Sequence, residues 1–328
     1  MGDSSNVSDY LSSINDPTTS EIEDVGEKVK TAAYNARVRE IQAYYRHAMD
    51  DAKADGIWET DDHAAMNQAK ADRDEALEAA ETEFDYIPEL FTAFTTPSPS
   101  YTSAILIHLS DVRATLTGAA TEKVDSVEAL ISDWTGDAAM QFAQGFLNPF
   151  PKSVDNQVEV VDEMRRGVGA FEAILRHSRK DVKDIGDKTA QVLDSLDDWS
   201  SDDLKPVLGV VGAVVGLLGA LPSGGASLGL ALLSFSISVT STALATEING
   251  NTVDDIIQQM NDNLEAVRTG MRDNENGLSD ALDASYETMS GIVTSSSNQE
   301  QRDLVPNRPN IADGGANHNN FEVPPEVQ

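Results

Sequence analysis

Apolar and small residues recur every three to five positions from about residue 20 to residue 54, the spacing of one face of a helix. They are Ile22, Val25, Val29, Ala32, Ala36, Ile41, Tyr45 and Ala48. The preceding segment, Asp16-Pro17-Thr18-Thr19-Ser20, is a turn and N-cap signal. After Asp55-Gly56 interrupts the pattern, an Ala-rich, highly charged stretch runs from about 60 to 86, before Pro88. These two stretches predict one helical hairpin.

The second predicted hairpin follows a loop at Thr95–Ser100, where two prolines disfavour helical geometry. Its first arm has apolar residues at helical spacing: Leu109, Val112, Leu116, Val124, Val127, Ile131 and Trp134. Its second arm repeats every seven residues at Val154, Val161, Val168, Leu175, Val182, Thr189 and Leu196. Phe171, Ser178, Ile185, Val192 and Trp199 are interleaved with them. This heptad pattern predicts a coiled-coil seam, and it returns at Val253, Met260 and Val267.

An uncharged stretch lies between Lys205 and Glu247, in a chain of which 24% of residues are charged. Two apolar arms, 206–221 and 228–245, flank the turn signal Pro222-Ser223-Gly224-Gly225. The first arm has small residues at helical intervals: Gly209, Gly212, Gly216 and Gly219. The second alternates polar residues with Phe235 and Ile237, which fits a strand as well as a helix. This hairpin is interpreted as the centre of the bundle or an oligomer contact, as a membrane-touching element, or as a partner-binding surface.

The sequence therefore predicts an all-α protein, an elongated bundle of long antiparallel helices with a hydrophobic hairpin and a disordered C-terminal tail. The predicted parts are a flexible N-terminus at 1–19, two helical hairpins at 20–200, the uncharged hydrophobic hairpin at 201–250, a long C-terminal helix at 251–295 packed on the bundle, and the tail at 296–328. The tail is too polar and too rich in Pro, Gly and Asn to form a core.

Net charge and missing motifs limit the function classes. A formal charge of −33 repels phosphate backbones, so nucleic acid is not an expected partner. The histidines, at positions 47, 63, 108, 177 and 318, are scattered and show no zinc-helix spacing. Neither a phosphate-binding loop nor a nucleophile elbow occurs in the sequence. We therefore expect no catalytic, cofactor-binding or metal-binding residues and no enzymatic activity.

A Trp-Gly turn at the tip of the second hairpin carries a family resemblance. In Trp134–Phe146, Gly136 can adopt the left-handed geometry that ends a helix and Asp137 can cap the next one, while Phe142 and Phe146 fall on one helical face. The pattern W-x-G-x-A-A-x-x-F-x-x-x-F resembles the WXG100 superfamily of substrates exported by type VII (ESX) secretion systems. Two successive hairpins, the second with this turn, resemble the EspB-like members in which PE-like and PPE-like halves are fused.

The resemblance implies a non-enzymatic protein that is secreted or at the cell surface. It implies Trp134, Gly136, Phe142 and Phe146 as the secretion motif, and the type VII machinery or a chaperone, a membrane and further copies of the chain as partners. In the family the turn is read together with Tyr-x-x-x-Asp/Glu, whereas here Tyr86 is followed by Glu89 after three residues instead of four. The N-terminus is polar and acidic, so no Sec-type signal is expected.

Three other interpretations compete with this resemblance. The chain has features of an α-helical pore-forming toxin that inserts residues 206–246 into membranes. It is also consistent with a helical scaffold or adaptor whose hairpin binds another helical protein. Trp134 itself has a simpler interpretation, as a core aromatic that closes a hairpin.

Overall fold

The structure is a computed structural model that describes residues 11–54, 60–118, 123–196, 208–212, 244–248 and 252–294. Its helices are α1 (Thr19–Ala54), α2 (Thr60–Glu83), α3 (Ile87–Thr92), α4 (Pro99–Gly118), α5 (Val124–Leu130), α6 (Asp137–Phe142), α7 (Phe150–Ser195) and α8 (Val253–Thr294). A π-helical turn, Ala143–Leu147, follows α6, and two short strands are β1 (Leu208–Gly212) and β2 (Leu244–Ile248). The long helices confirm the predicted all-α bundle.

The start of α1 follows from the predicted cap. The Thr18 backbone N–H donates to Glu21 Oε2 at 2.7 Å, and the Glu21 backbone N–H donates to Thr18 Oγ1 at 3.2 Å. This reciprocal pair is a capping box, which satisfies backbone N–H groups that the first turn of a helix leaves without partners. The bonds of Thr18 lower the pKa of Glu21.

The main core lies where α1, α3, α7 and the first half of α8 meet. Its buried residues include Ile22, Val29, Ile87, Phe91, Val182, Ile185, Leu193, Ile256 and Met260. Glycines permit this close packing: a Cβ on Gly26 would lie 3.0 Å from Pro88 Cα, and one on Gly186 would lie 2.6 Å from Phe91 Cε1. The backbones of α1 and α3 are therefore close together at Gly26, and the side chains of Val25 and Phe91 fill the space over Gly186 of α7.

The charged helix α2 is attached differently, because among its described side chains Ala80 is the buried one. Arg37 on α1 reaches Glu83 of α2 at 2.7 Å and Glu40 at 2.6 Å, and it also pairs with Asp254 of α8. Beyond the end of α2, Lys30 pairs with Asp85 at 2.7 Å. These ion pairs link α2 and the turn after it to α1, and Arg37 also links α1 to α8.

Two predicted boundaries differ in the structure. The charged helix ends at Glu83, and residues 84–86 form a turn before α3. The predicted loop at 95–100 ends at Ser98, because Pro99 begins α4. Proline suits the first position of a helix, where its missing N–H has no intrahelical partner to lose.

The second hairpin consists of α4 lying along α7, and the heptad seam of α7 is confirmed in most of its length. Val154, Val161, Leu175, Val182 and Thr189 are buried, whereas Val168 and Leu196 are only half-buried and Trp199 lies outside the described residues. The predicted C-terminal helix is α8, and Val253, Met260, Leu264, Val267 and Leu278 face the bundle from it. At about 1.5 Å per residue, the 46 residues of α7 extend roughly 70 Å.

The N-terminal segment is not free over all of residues 1–19. Leu11 and Ile14 are buried against Ala173 of α7. The guanidinium of Arg179 donates to Asp16 Oδ1 at 3.0 Å and to the Pro17 carbonyl at 2.7 Å. The composition of this segment suggested flexibility, but two apolar side chains and a buried arginine hold residues 11–18 on α7.

The ends of the uncharged stretch pair as antiparallel strands, with Leu208 opposite Ile248 and Gly212 opposite Leu244. The helical spacing seen for Gly209 and Gly212 was therefore wrong at these two positions, since both lie in β1. The β-branched pair Val210-Val211 between them favours extended backbone. Gly216, Gly219, Phe235 and Ile237 lie outside the described residues, as does the predicted tail.

Candidate functional site

The Trp134 turn joins α5 to α6 at one end of the second hairpin. The Trp134 backbone N–H donates to the Ile131 carbonyl at 2.9 Å, which closes the last turn after α5. Gly136 then has φ 99° and ψ 177°, a backbone conformation that a side chain would strain. The Met140 N–H donates to the Gly136 carbonyl at 3.1 Å and begins α6. Gly136 therefore sets the angle between the two helical segments.

A row of four aromatic rings starts at this turn. The ring centroids of Trp134 and Phe142 are 5.7 Å apart, those of Phe142 and Phe146 are 5.4 Å apart, and those of Phe146 and Phe150 are 5.6 Å apart. These distances lie in the favourable range for aromatic pairs. All four residues are half-buried, so the row also has an accessible side. We call these four residues the aromatic row.

The structure agrees with most of the sequence interpretation of this turn. Phe142 and Phe146 share one helical face, as predicted. Asp137 is not the cap: Gly136 occupies the N-cap position without a side-chain hydrogen bond, and Asp137 is the first residue of α6. Trp134 is partly buried against Phe142, so its simpler interpretation as an aromatic that closes the hairpin stays open. The turn between Phe142 and Phe150 is π-helical, a feature that the sequence pattern did not predict.

Tyr86 does not lie beside the Trp134 turn. It precedes α3, which packs against α7 at Gly186, where Phe91 approaches the helix. Gly186 is 36 residues further along α7 than Phe150, which corresponds to roughly 50 Å of helix. Tyr86 and the Trp134 turn therefore lie near different parts of α7.

A buried polar cluster lies near the middle of α7. The Glu172 carboxylate, 1% exposed, accepts hydrogen bonds from Thr102 Oγ1 and Ser103 Oγ, both at 3.0 Å, and from Arg176. One turn further on, Arg179 binds the N-terminal segment. These groups satisfy one another and connect α4, α7 and the N-terminal segment, so their arrangement indicates a clamp and not a reactive centre.

Two other titratable groups on α7 are affected by burial. Burial raises the pKa of Asp181 from 3.8 to about 6, partly offset by the nearby Lys180. Burial also lowers the pKa of His177, with a smaller contribution from Lys180. The two residues are four positions apart on one helix. Their pKa shifts describe a buried helix surface, since no cleft with a nucleophile adjoins them in the described part of the chain.

The described residues contain neither a candidate metal site nor a candidate membrane-spanning helix. Within them, no three His, Cys, Asp or Glu side chains are close enough to hold a metal ion. His47 and His108 are exposed and His177 is half-buried, whereas His318 lies outside the described ranges. Among the described helices, none combines the length and hydropathy that crossing a membrane would require.

Sequence reasoning missed a set of exposed apolar residues on α4. The apolar spacing predicts Val112 on the packing face of α4, but 46% of this residue is exposed. Tyr101 and Ile105 of the same helix are exposed as well. The available signal was the small number of charges: Asp111 and Arg113 are the two Asp, Glu, Lys or Arg residues among the 20 residues of α4. A helix with so few charges has more apolar surface than one packing face can cover.

Comparisons with known proteins do not add a family. No protein-family model matches the chain, and no curated protein and no solved structure matches it either.

Proposed function

We propose that this chain is a non-enzymatic helical protein that a type VII secretion system exports and that acts outside the cell by oligomer assembly or membrane contact. The observation that carries the proposal is the aromatic row beside Gly136, at the turn of a long helical hairpin. The resemblance to WXG100 substrates rests on Trp134, Gly136, Phe142 and Phe146, and three of these four residues belong to the row.

The geometry of the row is suited to recognition by a partner. Trp and Phe are frequent energetic anchors of protein interfaces, because their large rings lose much water-exposed area at little cost in conformational entropy. The rings contact one another at 5.4–5.7 Å, so they are already ordered before a partner binds. Binding to a pre-ordered surface has a smaller entropic penalty. We assign this role to the secretion machinery or to a chaperone.

The position of Tyr86 restricts the proposal. Since about 50 Å of helix separates α3 from the aromatic row, Tyr86 and Trp134 cannot be read as one local signal in this chain. Recognition must then depend on the Trp134 turn, with any second signal supplied by a partner chain. Substitution of Tyr86 is accordingly expected to leave export unchanged.

Export is tested with the tagged full chain in its native host, with the type VII ATPase intact or deleted. We expect the wild type in the medium only when the ATPase is intact, and at least a tenfold smaller secreted fraction for Trp134→Ala with an unchanged soluble intracellular pool. Tyr44→Ala is the matched control, because Tyr44 is an exposed aromatic residue on α1, remote from the turn. Normal export of Trp134→Ala, or export without the ATPase, would contradict the proposal.

A second candidate function is membrane insertion of residues 206–246, as in α-helical pore-forming toxins. The observation that favours it is the pairing of β1 with β2, by which the chain leaves and returns at one place, with no charged residue between Lys205 and Glu247. Its test is liposome flotation of the intact protein and of a variant with 206–246 replaced by a short Gly-Ser linker. Flotation of the intact protein alone supports insertion; failure of both to float argues against it.

A further inference from the structure

The N-terminal segment lies in a groove between α4 and α7. Leu11 and Ile14 are buried against Ala173 of α7, with Leu106 of α4 packed beside them, and Pro17 is buried three residues further on. The residues between these three are exposed, except for the half-buried Asp16: they are Ser12, Ser13 and Asn15. One side of the segment therefore faces the groove, and the other side faces solvent.

Two arginines of α7 bind the backbone of this segment. Arg176 Nη1 donates to the Leu11 carbonyl at 3.1 Å, and Arg179 Nη2 donates to the Pro17 carbonyl at 2.7 Å. Because every peptide unit has a carbonyl group, these two contacts would hold another chain of the same conformation equally well. The contact that selects a side chain is the one from Arg179 Nε to Asp16 Oδ1, at 3.0 Å.

The walls of the groove are held together without the segment. The buried Glu172 of α7 accepts hydrogen bonds from Thr102 and Ser103 of α4 and from Arg176, and none of these groups belongs to the N-terminal segment. The apolar contacts of the segment also form a small cluster of their own, apart from the main core. A unit attached in this way can open at a lower free energy than the whole fold.

Arg179 is the wall residue that depends on an occupant. Only 5% of its side chain is exposed, and Asp16 is the carboxylate paired with it among the described residues. If the segment leaves, the contact with the Thr95 carbonyl at 3.4 Å stays, but the guanidinium loses its counter-charge. A charge in a poorly solvated place is costly without an opposite charge beside it. The empty groove therefore favours a peptide with an acidic residue where Asp16 now lies.

The segment fills only part of the groove. Beside it an open volume of about 550 Å³ is lined by Ser100, Ala104 and Ile107 of α4 and by Thr18 and Thr19 at the start of α1. Ile107 is 62% exposed there. The chain itself does not use this space, because it turns into α1 at Thr19. A separate peptide, which need not turn there, has room to continue along α4.

We propose that the groove between α4 and α7 binds a peptide segment of a partner protein and that the chain's own N-terminal segment is an autoinhibitory occupant. The partner segment has two apolar residues three positions apart, an Asp two positions after the second, and a proline after the Asp. In the free protein the groove is filled, because a short tether gives the N-terminal segment an effective concentration in about the millimolar range. The groove is separate from the aromatic row, so the inference does not rest on export.

Fluorescence anisotropy of a labelled peptide with the sequence of residues 11–18 tests this proposal on the purified full chain. The recipient is the full-length double variant Leu11→Asp/Ile14→Asp, in which the attached segment has charges in place of its two buried apolar side chains. We expect saturable binding to this variant and at least tenfold weaker binding to the wild type, whose own segment fills the groove. The same peptide with Asp16→Asn should bind the variant at least tenfold more weakly, because it lacks the charged partner of Arg179.

Two substitutions in the double variant locate the bound peptide. Arg179→Met should weaken binding at least tenfold, because it removes the donors to Asp16 and Pro17. Lys180→Gln is the matched control: it removes a cation at the next position of α7, where Lys180 pairs with Asp184, and should leave binding unchanged. Far-UV circular dichroism checks that each protein is folded, and Arg179→Lys replaces Arg179→Met if that variant is not.

Four outcomes would overturn the proposal. The first is no saturable binding to the double variant. The second is equal binding to the wild type and the variant, which would place the peptide elsewhere on the molecule. The third is binding that Lys180→Gln weakens as much as Arg179→Met does. The fourth is a wild type that sediments as a dimer while the double variant sediments as a monomer, since the segment would then be exchanged between two copies.

Discussion

Gly186 lies in a close contact, where one added methyl group would collide with two core side chains. An added Cβ would lie 2.6 Å from Phe91 Cε1 and closer still to Val25 Cγ1, both inside the main core. Carbon atoms need about 3.5 Å, so Phe91 and Val25 would each have to move on a different helix. Overpacking of this kind costs about 1–3 kcal/mol, and the better helix propensity of Ala returns about 1 kcal/mol. We expect Gly186→Ala to lower the free energy of unfolding by about 1 kcal/mol, and by no more than about 2 kcal/mol.

Gly270 provides the matched control for this substitution. It also lies inside a long helix, but an added Cβ there would meet no atom within 4 Å. Gly270→Ala should therefore show the helix-propensity gain alone and raise the free energy of unfolding by about 0.5–1 kcal/mol. Urea unfolding followed by circular dichroism at the helix band measures both variants. Equal or greater stability of Gly186→Ala would refute the close crossing of α1, α3 and α7.

Three further predictions concern other parts of the molecule. Arg179→Met removes the bonds to Asp16 and should release the N-terminal segment, at a cost of about 2–3 kcal/mol; limited proteolysis should then cut within residues 11–18, and unchanged protection would contradict the clamp. Burial raises the pKa of Asp181 from 3.8 in the unfolded chain to about 6 in the folded protein. Between about pH 4 and pH 6 the folded protein therefore keeps a proton that the unfolded chain has lost, and the free energy of unfolding falls as the pH rises through this range. Asp181→Asn should therefore stabilise by about 2–3 kcal/mol at pH 7 and by almost nothing below pH 4 in urea unfolding, and an equal effect at both pH values would refute the assignment. Gly136→Ala strains a backbone with φ 99° and should lower stability by about 1–2 kcal/mol and change the near-UV signal of Trp134, whereas an unchanged signal would contradict the turn geometry.

The regular part of this fold was predictable from local patterns. The heptads of α7 and α8 and the apolar row at the start of α1 specify which side of each helix is buried, because helical spacing alone decides which residues share a face. The cap of α1 at Thr18 was equally local, since it needs only Glu21 three residues later. Helix ends after prolines and in short connecting turns were less predictable, as Pro99 illustrates.

The candidate site was only partly predictable. The contact between Phe142 and Phe146 follows from their spacing of four residues, and the need for glycine at 136 follows from the turn. Phe150 follows Phe146 at the same spacing of four residues, so its contact was predictable in the same way, whereas the π-helical turn at Ala143–Leu147 was not. The distance between Tyr86 and Trp134 depends on how α3 packs against α7, so the sequence contained no sign of it.

The sequence by itself determined the all-α class, the long helices, the aromatic turn and the uncharged stretch, because each depends on residues close together in the chain. Tertiary structure alone decided which faces stay uncovered. Tyr101, Ile105 and Met164 stay exposed because no other described helix covers them, and the N-terminal segment packs on α7 because Arg179 is buried where Asp16 can reach it. Such features depend on contacts between residues far apart in sequence, and no local pattern encodes those contacts.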